Sequence, residues 1–182
     1  MDFDLDTWLP EPQVRTLHRR SAAAGADELW RAAGNLRIRE APVFGKAVRW
    51  RIPGTAPDLT FRDLLRRYPF VVIGEGDRWS VSGLCGRIWT LQRDYPSLAG
   101  REEFLAWDQP GTVRVLLAHW IEPDSDGRSA LVSEARVKPT NRLAAIRLRA
   151  LWLIVGRFDR FIAGEVLRNA ARGAERASGE KG

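Results

Sequence analysis

Between residues 139 and 177 the chain reads PTNRLAAIRLRALWLIVGRFDRFIAGEVLRNAARGAERA, and no other stretch limits its possible folds as strongly. Ala144, Leu148, Leu151, Val155, Phe158, Ile162 and Val166 recur in alternating steps of three and four, which lays them along one face of a helix. The spacing predicts one long helix, or two joined at Gly156, where glycine costs roughly 1 kcal/mol against alanine. Thr140 or Asn141, just after Pro139, can cap its start, because a short side-chain oxygen there accepts a bond from an otherwise orphaned backbone N–H. A long helix with one apolar face needs a broad partner surface, and the strand-like segments upstream can supply it.

Residues 14–22 read as an edge strand holding His18, one of only two histidines. Residues 27–33 read as a short helix with Leu29, Trp30 and Ala33 as its buried side and Gly34-Asn35 as its stop. Leu36 and Ile38 alternate with Arg37 and Arg39 as in a short strand, and the Pro- and Gly-rich stretch 41–58 reads as a surface excursion. Thr60 with Asp63 three residues on resembles a capping box, followed by Phe61, Leu64, Leu65 and Tyr68 at helical spacing up to Pro69. From Phe70 the period shortens. Residues 70–74 and 78–90 read as strands about a Gly76-Asp77 turn, with Gly83 and Gly86 marking a bulge or strong curvature. Residues 102–107 supply one or two helical turns before Pro110-Gly111.

Residues 112–122 and 128–138 then form a hairpin around a loop rich in turn formers. Val113, Val115, Leu117, His119 and Ile121 share a face of the first strand; Leu131, Ser133, Ala135 and Val137 share one of the second. The order of elements predicts an α+β fold, a curved antiparallel sheet covered by the terminal helix. Residues 1–12, acidic through Asp2, Asp4, Asp6 and Glu11, are expected to be a flexible arm. Residues 13–177 form the domain and 178–182 a disordered tail.

Composition narrows the function classes. At 182 residues and 45% hydrophobic, the chain can bury a core without metal or disulfide staples. Its single cysteine, Cys85, and a start without a basic and apolar leader fit a cytoplasmic protein. The longest apolar run, 150–155, is far below the ~20 residues of a membrane span. A net charge of +6 comes from arginines spread over nearly every segment, which fits general solubility and no nucleic-acid partner. There is no G-x-S-x-G, H-E-x-x-H, paired C-x-x-C or phosphate-loop pattern. Two histidines and one cysteine do not make a zinc site, and no metal or cofactor is expected.

Several segments in sequence carry a resemblance: HRRSAAAGADELWRAA, VSGLCGRIW, PGTVRVLLAHWIEP, ALVSEARVKPTNRLA and LRALWLIVGRFDRFIAGEVLRNAARGAE. In their order and spacing the chain resembles the START-like (SRPBCC) superfamily, and within it short bacterial members, from His18 to Glu175. That resemblance implies a helix-grip fold, a curved antiparallel sheet wrapped around the long C-terminal helix. It also implies a cavity between sheet and helix for a small hydrophobic or amphipathic molecule, lipid-like or polyketide-like, bound without a cofactor. Relatives usually carry Thr where Ala135 stands, so a hydroxyl is missing here. Relatives also include polyketide cyclases and dehydratases, which would use His119 or Glu134 as acid or base; a non-catalytic binding protein is the first expectation.

His119 shares its strand face with Val115 and Leu117, so a cavity would set a polar group among apolar ones. The commoner state of such a histidine is half exposed, or bonded to a neighbouring carbonyl. Glu134 and Arg136 lie two apart on one face. Leu131 and Val137 claim the opposite face for the core, which favours an ordinary solvated pair, the alternative being a polar pair inside the cavity. The eight tryptophans are scattered over separate elements, as core packing requires, and Trp89 and Trp152 are cavity candidates. The expected ligand-binding set is Trp89, Val115, Leu117, His119, Leu131, Ser133, Trp152, Val155 and Phe158. Cys85 fits a small buried hydrophobe. The arginines of the last helix make its polar side basic, an ordinary solvated face or, in a sharper reading, a peripheral contact with an anionic membrane.

Overall fold

Segments with a two-residue period pair as the sequence predicts. The computed structural model describes residues 4–90 and 95–179, and the backbone alone at 126, 154, 155 and 157–163. Strands β1 (Val14–Ala22), β2 (Val71–Gly76), β3 (Trp79–Gly86), β4 (Val113–Pro123) and β5 (Ser129–Pro139) form one antiparallel sheet in the order β1-β5-β4-β3-β2. With the C-terminal helix this is the α+β architecture expected. No helix among the described residues is long and apolar enough to cross a membrane.

The terminal segment is one helix, α5 (Arg142–Gly179), continuous through Gly156. Asn141 caps it: its Oδ1 accepts from the Ala144 N–H at 2.9 Å, satisfying one of the donors a helix start leaves over. Ala144, Leu148 and Val166 of the apolar stripe are buried and Leu151 is half-buried. The side chains of Val155, Phe158 and Ile162 lie outside the described residues. The helix runs past the point where a tail was expected, and the Ser178 hydroxyl bonds Glu28 Oε2 at 2.6 Å. α5 lies along β1 and β5 and against α1 (Ala26–Asn35) and α2 (Pro42–Arg51).

α2 corrects the expected surface excursion. Proline is favoured in the first helical turn because its missing N–H has no partner there anyway, and Pro42 takes that place. Residues 36–40 likewise form no strand: they give a single tight turn at Ile38–Glu40 and one isolated bridge, Arg37 to Thr60. Thr60 caps α3 (Phe61–Leu64) as predicted, its Oγ1 accepting from the Asp63 N–H at 3.1 Å. The irregularity in the sheet lies on β2 between Val72 and Gly74 rather than at Gly83. Gly83 serves a close approach, since a Cβ there would sit 2.6 Å from Phe104 of α4 (Arg101–Ala106).

Both faces of the sheet are covered. On one face lie α1, α2, α3 and α5; on the other, Leu5, Trp8, Leu9 and Phe104 pack over Leu116, Ala118, Trp120 and Val132. The acidic arm is therefore a strap. Leu9 is fully buried, and the turn Leu5–Thr7 is capped by Asp4, whose Oδ1 accepts from the Asp6 N–H at 2.8 Å.

This second cover also overturns the solvated reading of Glu134 and Arg136, which are 2% and 5% exposed beneath the strap. Glu134 accepts from Arg15 Nε at 2.8 Å, from Arg15 Nη2 at 3.0 Å and from Arg136 Nε at 2.5 Å. Arg136 in turn donates through Nη1 to Asp6 at 2.5 Å and to the Leu9 carbonyl at 3.2 Å, which ties the strap to the sheet. Removing one member of a buried pair strands the other charge in a dry interior. Glu134→Ala is expected to lower the unfolding free energy by roughly 3–5 kcal/mol in a urea titration, and Arg15→Ala, at a more exposed end of the network, by no more than ~1 kcal/mol.

Candidate functional site

The register of the sheet sets a row of polar residues across its helix-covered face. His18 pairs with Ser133, Ser133 with His119, His119 with Ser80, and Ser80 with Glu75. Both histidines of the chain stand in this row. Beside it runs a mixed row of Thr16, Ala135, Leu117 and Ser82.

Above these rows the helices leave space in two lobes. The inner lobe, about 170 Å³, has Thr16, His18, Leu117, His119, Ser133 and Ala135 as its floor. Phe44 and Val48 of α2, Leu64 of α3, Phe70, and Val166 and Leu167 of α5 close it with hydrocarbon. The outer lobe, about 340 Å³, opens between α1, α3 and the β2–β3 turn, and adds Trp30, Arg62, Arg66, Trp79 and Ser82. His119, Phe61 and Leu65 line both lobes. The Phe61 ring stands edge-on to His119, with ring centroids 4.9 Å apart and planes at 87°.

His119 carries the chemistry of this space. It is 6% exposed, and its Nδ1 has no hydrogen-bond partner among the described residues. Burial disfavours the charged imidazolium and lowers its pKa from 6.5 to about 4, so the ring is neutral at pH 7. Thr16 Oγ1, on the neighbouring row, is likewise buried without a partner among the described residues. Buried polar atoms in folded proteins almost always find a partner, and two unmatched ones facing one apolar cavity are places where a guest can complete the bonding. A neutral imidazole can exchange a hydrogen bond with such a guest; lacking the imidazolium's acidic proton, it is a poor general acid at neutral pH.

The expected residues divide between this cavity and its surroundings. Leu117, His119 and Ser133 line the inner lobe, and Leu131 joins His119 in the outer one. Val115, Trp89 and Trp152 gather instead around Val113 and Leu148 further along the same face. Trp89 Nε1 is buried without a partner among the described residues, and the Arg147 guanidinium lies 6.0 Å from its ring centre. The side chains of Val155 and Phe158 lie outside the described residues.

Glu134 leaves the candidate acid–base pair, because it aligns with Ala118 and faces the strap, a full sheet thickness from the cavity. Cys85 is fully buried, and burial pushes its thiol up to about 12, so it stays protonated and inert. No cluster of metal-ligating side chains occurs among the described residues.

Sequence reasoning missed the roof. Phe44, Val48 and Ile52 all line the inner lobe, and their spacing of four, following Pro42, was the signal that could have found them. The sequence places Thr16 and His18 on β1 but in no site, because only the β1–β5 register brings them beside Ser133 and Ala135.

No protein-family model matches the chain, and no curated protein matches it. Among solved structures it is similar to hypothetical protein jhp0584 from Helicobacter pylori, with 12% identity over 96% of this chain and 95% of that one and a TM-score of 0.45. It is similar to TTHA0849 from Thermus thermophilus, with 10% identity over 91% and 99% of the two chains and a TM-score of 0.36. It is also similar to the ZhuI aromatase/cyclase from Streptomyces sp. R1128, with 16% identity over 87% and 94% and a TM-score of 0.33. At these scores the likenesses assign no residue a role.

The neutral state of His119 has a thermodynamic signature. Between pH 6.5 and about 4 the unfolded chain takes up a proton at this position and the folded chain does not, so stability falls as pH drops through that window. His119→Gln removes the linkage. Urea titrations at a series of pH values should show the stability gap between wild type and variant shrinking, on the order of 3 kcal/mol from pH 7 to pH 4. A gap that stays constant with pH would mean the imidazole is charged or solvated in the native state.

Proposed function

We propose that this protein binds a small amphipathic molecule in the space between the sheet and helices α2, α3 and α5, with the guest's apolar body in the inner lobe and a polar atom against His119. The observation that carries this reading is the buried His119 Nδ1, without a partner among the described residues, on the polar floor of a cavity whose roof is hydrocarbon. Ligand sites commonly combine such walls with a few placed polar groups. Affinity would come from apolar area removed from water, at roughly 25 cal/mol per Å² before association costs, and orientation from the polar row of the floor. A buried ring that is neutral at pH 7 and takes up a proton reluctantly supports hydrogen bonding over acid–base chemistry, so the site is read as binding rather than catalytic.

Fluorescence of N-phenyl-1-naphthylamine, a neutral apolar probe, tests the reading. Wild type is expected to enhance its emission saturably. Ala135→Phe, which fills the floor of the inner lobe, should weaken binding at least about tenfold while the melting transition stays cooperative. Absent enhancement by wild type, or enhancement untouched by Ala135→Phe, would sink the proposal.

A further inference from the structure

We propose that the guest is a carboxylate, its head bound in the outer lobe by Arg62; this deepens the cavity reading and rests on it. Arg62 belongs to α3, is half-buried, and lines the same lobe as His119. Its guanidinium has no hydrogen-bond acceptor and no carboxylate within pairing distance among the described residues. The other arginine lining the lobe is committed. Arg66 pairs with Glu75, and Asp77 sits on the β2–β3 turn next to Arg78, which itself pairs with Asp27 at 2.7 Å.

The position of Arg62 is set by a second residue. A Cβ on Gly34 of α1 would fall 2.5 Å from Arg62 Nη2 and 2.8 Å from both Cζ and Nε. The guanidinium therefore lies flat against the glycine, where any larger residue would displace it. An arginine held in place without a counterion presents a planar fork of donors, which matches the two oxygens of a carboxylate. A single uncommitted cation, with Glu75 and Asp77 lining the same lobe, suits a monoanion better than a doubly charged phosphate. Phe61, Leu65 and His119 line both lobes, so in this proposal a chain whose head rests on Arg62 runs past these shared residues and leaves its apolar part in the inner lobe.

Displacement of N-phenyl-1-naphthylamine separates this proposal from the one it builds on. At neutral pH, decanoate should displace the probe from wild type at about five- to tenfold lower concentration than decanol, which has the same chain length and no charge. Arg62→Gln should bring the two competitors level. Gly34→Ala, which keeps the arginine but pushes it off its seat, should narrow the gap as well. The decanoate-to-decanol ratio is taken within each variant, so any change in probe affinity cancels. Equal displacement by the two from wild type, or a preference that survives Arg62→Gln, would overturn the carboxylate assignment and leave the cavity reading standing. A wild type that binds no probe would overturn both.

Discussion

The pairing of β4 with β5 fixes more of this molecule than any other interaction. The two strands align over their full length, from Val113 opposite Pro139 to Pro123 opposite Ser129, with no irregularity. Alternation along them sends Leu117, His119 and Ser133 towards the helices, and Ala118, Glu134 and Arg136 towards the strap. Because the covers of the two faces differ in kind, a slip of one residue would put the ion network into the cavity and the histidine under Trp8 and Leu9. Register is therefore held from both sides, and the site inherits its accuracy from it.

The two faces also handle buried polarity in opposite ways. Beneath the strap, the Glu134 carboxylate is met by two arginines, and Arg136 is shared between that carboxylate, Asp6 and a backbone carbonyl. On the helix side, His119 Nδ1 and Thr16 Oγ1 are buried without a partner among the described residues. The same sheet completes a demanding charged cluster on its opposite face, so the unmatched atoms are a local property of the cavity rather than a sign of loose packing throughout.

What the sequence disclosed follows from the range of the forces concerned. Caps and periods are local, so Asn141, Thr60, β1 and the β4–β5 hairpin were legible, along with the placement of Leu117, His119 and Ser133 on a common face. Alternation also put Glu134 opposite Leu131 and Val137 correctly. What it lacked was the second cover: Leu5, Trp8 and Leu9 sit among acidic residues, and their burial depends on an arginine about 130 positions away. α2 was obscured by its own glycine and arginines. Gly45 is tolerated there because Ile38 packs so closely that a Cβ would lie 2.7 Å from its carbonyl oxygen, a contact no local pattern encodes. The polar row His18–Ser133–His119–Ser80 exists only across four strands, and needed the register of all of them.

The strap's anchorage has a consequence for how the molecule responds to dissolved salt. Pairs at the surface, such as Arg39 with Asp58, sit in water, where counterions at about 0.15 M weaken attraction beyond roughly 8 Å and compete at contact. The cluster joining Glu134 to Arg136 is enclosed, with almost no room for counterions around it. Raising ionic strength should loosen the exposed pairs first, those of the helical layer and Arg19 with Glu122 alike, and reach the enclosed contact of Glu134 with Arg136 last.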